Sequence, residues 1–261
     1  MKKILVGSLA LLTAVCLKAQ QKEGKVIYQR SVEIRMIINT GDGPANPIAQ
    51  TRTDKFELNF ANGKMILRQL EEDLPEESNS GGGMMIRTMG GGADDITYCD
   101  LENAKKLEQR EFFDKKYLVG DSIRRGNWKL SEETKTILDH VCRKAISQRI
   151  GKKMSMSMEN GKMERKEITD TSEVVAWFTT DIPVSAGPEM QGQLPGLILG
   201  LETNNGKTVY TALEVSPKAD LAAIKEPTKG KKVTPDEFAK ERSKMMDEMQ
   251  KNGGGTFRMR M

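Results

Sequence analysis

The stretch Phe56-Glu-Leu-Asn-Phe-Ala-Asn-Gly-Lys-Met-Ile-Leu-Arg-Gln-Leu70 holds a complete structural unit. Phe56, Leu58 and Phe60 alternate with polar residues, the period-two pattern that lays one face of a strand on a core. Asn62-Gly63 supplies two residues that tolerate positive φ in a tight hairpin turn, and residues 65–70 run back beside the first strand. Upstream, residues 25–38 (KVIYQRSVEIRMII) are rich in β-branched side chains and predict one long strand. Downstream, residues 94–103, 105–120, 136–149, 173–182, 197–203 and 207–215 predict further strands, with a second hairpin turn at Asn205-Gly206. Short connections and turn dipeptides favour antiparallel neighbours over parallel crossover units. The expected fold is mainly β (α+β): a curved antiparallel meander sheet with a C-terminal helix, a half-barrel like that of periplasmic lipoprotein carriers.

Two segments interrupt the alternation. Residues 71–95 include SNSGGGMM and a second Gly-Gly-Gly run, a composition too poor in apolar surface to order itself. Residues 217–233 read as a Lys/Pro/Gly linker. Thr234-Pro235-Asp236-Glu237 then predicts a helix start: a threonine cap, a proline whose missing N–H costs nothing, and a glutamate able to close a capping box. The helix should run to about residue 251 and stop at Gly253, with a thin apolar stripe of Phe238, Met245 and Met249 that docks loosely or awaits a partner.

The first nineteen residues read as a Sec signal peptide. Lys2 and Lys3 precede an apolar run from Ile4 to Leu17, and small residues follow. The run is shorter than the roughly 20 residues that span a bilayer. Cleavage after Ala19 or Gln20 is expected. Lipidation at Cys16 is not, because Thr13 and Val15 occupy the lipobox positions before it. Loss of Lys2, Lys3 and Lys18 takes the formal charge from +4 to +1. That balance, with only 5% aromatic residues, argues against a nucleic-acid partner. No second apolar stretch is long enough for a helical span, so the expected product is periplasmic or outer-membrane associated, with no integral membrane span. The division predicted is a leader at 1–19, a β domain at 20–216, a linker at 217–233, and a helix with a Gly/Met tail at 234–261.

Residues 176–200, AWFTTDIPVSAGPEMQGQLPGLILG, carry the most distinctive pattern. An aromatic pair, Thr, Ile-Pro, Gly-Pro and then Leu-Pro-Gly-Leu-Ile follow in order. The pattern resembles the GLPGLI family of exported Bacteroidetes proteins, and the resemblance extends over residues 24–216. Upstream, residues 116–119 before Asp121, Asn127-Trp128, and Ile137 leading to Cys142 agree with it. Four features depart: Gln193 replaces the first glycine of the motif, Asp139-His140 replaces Gly-Tyr, residues 151–170 are a polar insertion, and the helix is an extension. The resemblance implies no catalytic residue.

Trp128, Cys142, Trp177, Pro183, Gly187, Pro188, Leu194, Pro195, Gly196 and Leu197 are assigned to packing in preference to the lip of a ligand groove, because no side chain in Leu-Pro-Gly-Leu-Ile can act as acid, base or nucleophile. Pro183 ends a strand. Pro195-Gly196 suits the centre of a type II turn, with Gly196 at positive φ, launching Leu197 into a buried strand.

Little in the chain suggests catalysis. After cleavage Cys99 and Cys142 are the cysteines left, and an exported compartment permits either a disulfide or two buried thiols. His140 is the one histidine, two residues from Cys142; on a strand that spacing is roughly 7 Å, too far for a nucleophile–base pair. Met154, Met156 and Met158 alternate along a segment that also holds Met163, a soft donor set for Cu(I), though Lys152, Lys153, Lys162 and Lys166 crowd it. The expected function is a non-enzymatic binding or carrier module for an apolar ligand or envelope partner, without a cofactor; its partner would be an outer-membrane protein or a lipid. Periplasmic Cu(I) handling and an accessory role at an outer-membrane receptor are the alternatives.

Overall fold

In a computed structural model the chain is described over residues 21–38, 46–70, 95–159 and 162–252. The expected leader, nearly all of the glycine-rich stretch and the tail beyond the helix lie outside the described residues. Twelve strands make one sheet: β1 (Gly24–Ile38), β2 (Asn46–Ala61), β3 (Lys64–Gln69), β4 (Ile96–Asp100), β5 (Lys105–Phe112), β6 (Lys115–Ser122), β7 (Lys129–Ile137), β8 (His140–Glu159), β9 (Lys162–Thr179), β10 (Leu197–Thr203), β11 (Thr208–Ser216) and β12 (Lys231–Val233). Their order across the sheet is β12-β6-β5-β4-β3-β2-β1-β11-β10-β9-β8-β7. Every pairing is antiparallel except β12 with β6. The sheet is open, not closed into a barrel.

The quoted hairpin forms as its alternation requires. Phe60 pairs with Met65 and Leu58 with Leu67 in register, and all four side chains are buried. Asn62 (φ 50°) and Gly63 (φ 69°) make the turn. Curvature shows in a longer-range relationship. Tyr28 on β1 and Cys142 on β8 lie four steps apart in strand order, which in a flat sheet is about 19 Å. Tyr28 and Cys142 nonetheless belong to one buried core. Register irregularities at Ile27/Tyr28, Ile198/Gly200 and Leu130/Thr134 are the bulges at which such a sheet bends.

Four expectations are corrected. Residues 105–120 form two strands, not one, because Phe113 takes a left-handed conformation (φ 52°) with no glycine to announce the turn. Residues 136–149 likewise contain a turn, at Leu138 (φ 49°) and Asp139 (φ 64°), so β8 begins at His140. The polar stretch 151–170 is not an insertion between strands. It is the outer half of the β8–β9 hairpin, laddered out to Glu159↔Lys162. Its sequence is dominated by polar and charged residues, yet backbone pairing to a neighbour needs no apolar face.

The expected linker is a strap. The Asp220 amide donates to Asn59 Oδ1 at 2.8 Å, and Ile224 packs on Tyr98, Leu107 and Leu118. Residues 231–233 then add a strand beside β6. From there α1 (Pro235–Asn252) sets Phe238 and Met245 against Phe112, Tyr117, Val119 and Val233, with the Tyr117 and Phe238 rings 5.1 Å apart. The capping box forms: the Thr234 amide donates to Glu237 Oε2 at 2.8 Å, and the Glu237 amide to Thr234 Oγ1 at 3.3 Å. These bonds hold the Glu237 carboxyl below its usual range. No helix among the described residues is long and apolar enough to cross a membrane.

Candidate functional site

The segment between β9 and β10 carries the motif, and it turns out to be a plug. Ile182, Ala186, Met190 and Leu194 are buried, and they join the core that includes Tyr28, Phe60 and Met65. Backbone bonds lock the segment to itself and to β10: Leu197 N to Ile182 O at 3.1 Å, Ile198 N to Ala186 O at 3.0 Å, and Gly192 N to Ser185 O at 2.8 Å. The Tyr28 hydroxyl, fully buried, donates to the Ile198 carbonyl at 2.6 Å.

Each motif position has a local cause. Pro183 and Pro195 are exposed at bends, while Gly187, Pro188, Leu194, Gly196 and Leu197 are buried. Gly187 has φ 154°, and a Cβ there would lie 2.6 Å from Ile198 Cβ. Gly196 does not adopt the positive φ of a type II turn. Its constraint is proximity, since an added Cβ would fall 2.0 Å from the Thr179 carbonyl oxygen. Gln193 has a task of its own: its Oε1 accepts from Trp128 Nε1 at 3.0 Å, tying the start of β7 to the plug. Trp177 is half-buried, not a core residue, with Lys135 Nζ 4.2 Å from its ring centre.

The thiols are poorly placed for chemistry. Cys99 and Cys142 are both buried and both free, so the disulfide alternative gives way to two separate thiols. Burial pushes Cys99 up to about 12 and Cys142 up to about 11. A nucleophilic thiol needs the opposite shift. The Cys142 thiol donates to the His140 carbonyl at 3.6 Å, whereas the His140 ring faces Asp181, with Nδ1 3.5 Å from Oδ2. Imidazole and thiol are therefore not partnered.

A polar network beside the core was not legible in the sequence. Asp54, 7% exposed, accepts from Arg30 at 2.7 Å, from Arg52 at 2.8 Å and from Gln69 at 3.2 Å. Arg30 also stacks on Phe56, 4.7 Å from the ring centre. Tyr210 bonds both Arg30 and Glu189, and Glu189 pairs with Arg149 at 3.1 Å. A carboxylate held by two guanidinium groups is an anchor for the strands that carry them. The polar strand positions concerned gave no signal, because alternation marks apolar faces and these residues interrupt one. Among the described residues no group of three or more His, Cys, Asp or Glu is arranged to hold a metal.

The outer face differs from the filled interior. Six large apolar side chains are exposed among the described residues, and four of them (Leu130, Leu138, Val141 and Ile150) belong to β7, β8 and the turn between them. Among the described residues β7 is also the last strand of the sheet, so one row of its backbone groups has no neighbouring strand there. A shallow hollow beside α1 is lined by Lys240, Ser243, Lys244, Asp247 and Glu248, a charged lining unsuited to an acyl chain.

Comparison with known proteins locates the same half of the molecule. The model of a family described as a protein of unknown function (Porph_ging) matches residues 128–200, which run from the start of β7 into β10. No curated protein matches. Solved structures of PNGF-II are similar. In its P21 space group the identity is 17% and the TM-score 0.49, with 84% of this chain and 33% of that one covered. In its C2 space group the values are 16%, 0.46, 82% and 32%. The chain spans about a third of the length of those proteins.

Proposed function

We propose that this is an exported, non-enzymatic binding module of the cell envelope that docks a protein partner along its β7–β8 edge. The observation that carries the proposal is the contrast between a filled interior and an edge that gathers most of the exposed apolar side chains. A lipid carrier needs an empty apolar concavity, and here residues 182–199 occupy that position. An open edge strand accepts a partner's strand by backbone bonding, with neighbouring apolar side chains adding affinity. Export rests on the leader at residues 1–19. The motif at 176–200, together with the family match over 128–200, supports placing the chain in the GLPGLI family. The absence of a catalytic role is part of the same proposal and draws on the two buried, protonated thiols.

The test is photo-crosslinking in the native host, with the crosslinker placed at Val141, at Ile150 or at Leu213. A discrete protein adduct from Val141 or Ile150, lost when Leu130 is changed to Asp and not formed from Leu213, is the expected result. Stoichiometric lipid released from the purified protein, or equal adducts from all three positions, would overturn the edge proposal.

A further inference from the structure

The Cu(I) donor set expected at Met154, Met156, Met158 and Met163 falls on side chains outside the described residues. The β7 edge is described throughout, and its charges are patterned. Residues 129–137 read KLSEETKTI, with Glu132 to Thr136 all exposed. An open edge accepts another strand unless side chains forbid it. Opposite charges set directly across favour a pairing, and like charges oppose it. Glu133 accepts from Lys144 of its own chain at 3.0 Å and remains 61% exposed, while Lys135 lies over the Trp177 ring. Lys144 and Trp177 are opposed in register, so Glu133 and Lys135 share their face of the sheet.

Two copies of such an edge join antiparallel about a two-fold axis perpendicular to the sheet. Each side chain keeps its face, and opposed residues share a face, so one residue must sit opposite its own copy. The register irregularity between Leu130 and Thr134 leaves Thr134 to Ile137 as the unbroken run that can hold this centre. Centring on Lys135 sets two ammonium groups against each other. Centring on Thr136 or Ile137 runs into Leu138, which has left the strand at φ 49°. Centring on Thr134 opposes threonine to threonine and each Glu133 to the second copy's Lys135, twice by symmetry. No like charges are then opposed along the strand. The same register brings Leu130, 44% exposed, to the level of the second copy's Leu138, 39% exposed.

We infer that the partner taken by this edge is a second copy of the chain, paired β7 to β7 in the register centred on Thr134. The inference rests on the edge-docking reading and names its partner. A contact one strand wide is at the small end of specific interfaces, so the dimer should exchange with monomer. Sedimentation velocity of the exported chain, purified from its host, over about 1–100 μM should show that exchange. Glu133→Lys and Lys135→Glu should each weaken the dimer about tenfold, and the two together should return it to within about threefold of wild type.

Engineered cysteines read the register, since Cys99 and Cys142 are buried. Under mild oxidation Thr134→Cys should link to its own copy, because directly opposed Cα atoms lie about 4.5–5.5 Å apart. Thr136→Cys, four residues along the strand from its own copy and roughly 13 Å away, should not. Should a charge reversal fail to fold, this pair of variants at exposed positions decides alone. A chain monomeric throughout, no rescue by the double charge reversal, or linking of Thr136→Cys as readily as Thr134→Cys would overturn the inference. A monomer whose Val141 crosslinker still captures a different protein overturns the second copy and leaves edge docking in place; a monomer with no Val141 adduct overturns both.

Discussion

Gly196 lies so close to the backbone of Thr179 that a Cβ added to it would meet the Thr179 carbonyl oxygen at 2.0 Å. The contact joins the end of β9 to the start of β10 and closes the loop that plugs the core. An obstructing backbone cannot swing aside as a side-chain end can. Gly196→Ala should therefore cost at least about 1–3 kcal/mol, the range for overpacking a filled site. Gly206→Ala is the control: its φ is 79° but nothing lies within 4 Å, so only local strain of about 1 kcal/mol applies. Urea titrations of both variants should rank Gly196→Ala as the more damaging; the reverse order would discount the close approach.

Tyr28→Phe isolates one buried bond. Removing the hydroxyl leaves the ring's packing intact and strips the Ile198 carbonyl of the donor at 2.6 Å. A buried acceptor left without its partner costs about 1–3 kcal/mol. A drop of that size in the urea-derived stability is expected, and a neutral result would mean water replaces the hydroxyl.

The two thiols predict an alkaline weakness. In the unfolded chain a cysteine ionises near about 8.5. In the fold burial holds Cys99 protonated up to about 12 and Cys142 up to about 11. A folded-state value raised above the unfolded one gives full stability below the unfolded value and loses it as pH climbs toward the folded one. The urea midpoint should accordingly decline from about pH 8.5 upward, and less steeply in Cys99→Ala with Cys142→Ala. The buried phenols of Tyr28 and Tyr210, also pushed up, add to the decline only above about pH 10, so the comparison belongs below that. At pH 8 a thiol reagent should leave both cysteines of the native protein unmodified and label both after unfolding.

The docked helix predicts a graded truncation series. Ending the chain after Thr234 removes Phe238 and Met245 from Phe112 and Tyr117, while ending it after Gly230 also removes β12 from β6. The second truncation should be the more destabilising. Phe238→Ala alone should cost about 1–3 kcal/mol, below the range for a fully buried ring because Phe238 is only partly buried. Thermal melts of the two truncations with indistinguishable midpoints would show that β12 contributes nothing.

Strand character was legible in the chain itself wherever one face is apolar and the turn is Asn-Gly, as from Phe56 to Leu70 and at Asn205-Gly206. Period-two alternation reports burial directly, and those turn residues have a stereochemical cause that needs no context. The helix start at Thr234 was legible for the same reason: capping is local. Three kinds of feature waited for tertiary structure. Turns at Phe113 and at Leu138-Asp139 use left-handed residues without glycine, a conformation that surrounding pairings impose. The outer β8–β9 ladder depends on register, which a single strand does not specify. The plug, the strap and the Asp54 network bring together residues far apart in sequence, such as Tyr28 with Ile198 and Asn59 with Asp220. Local patterns carry the sign of burial but not its partner, and only the curl of the whole sheet determines which side chains meet.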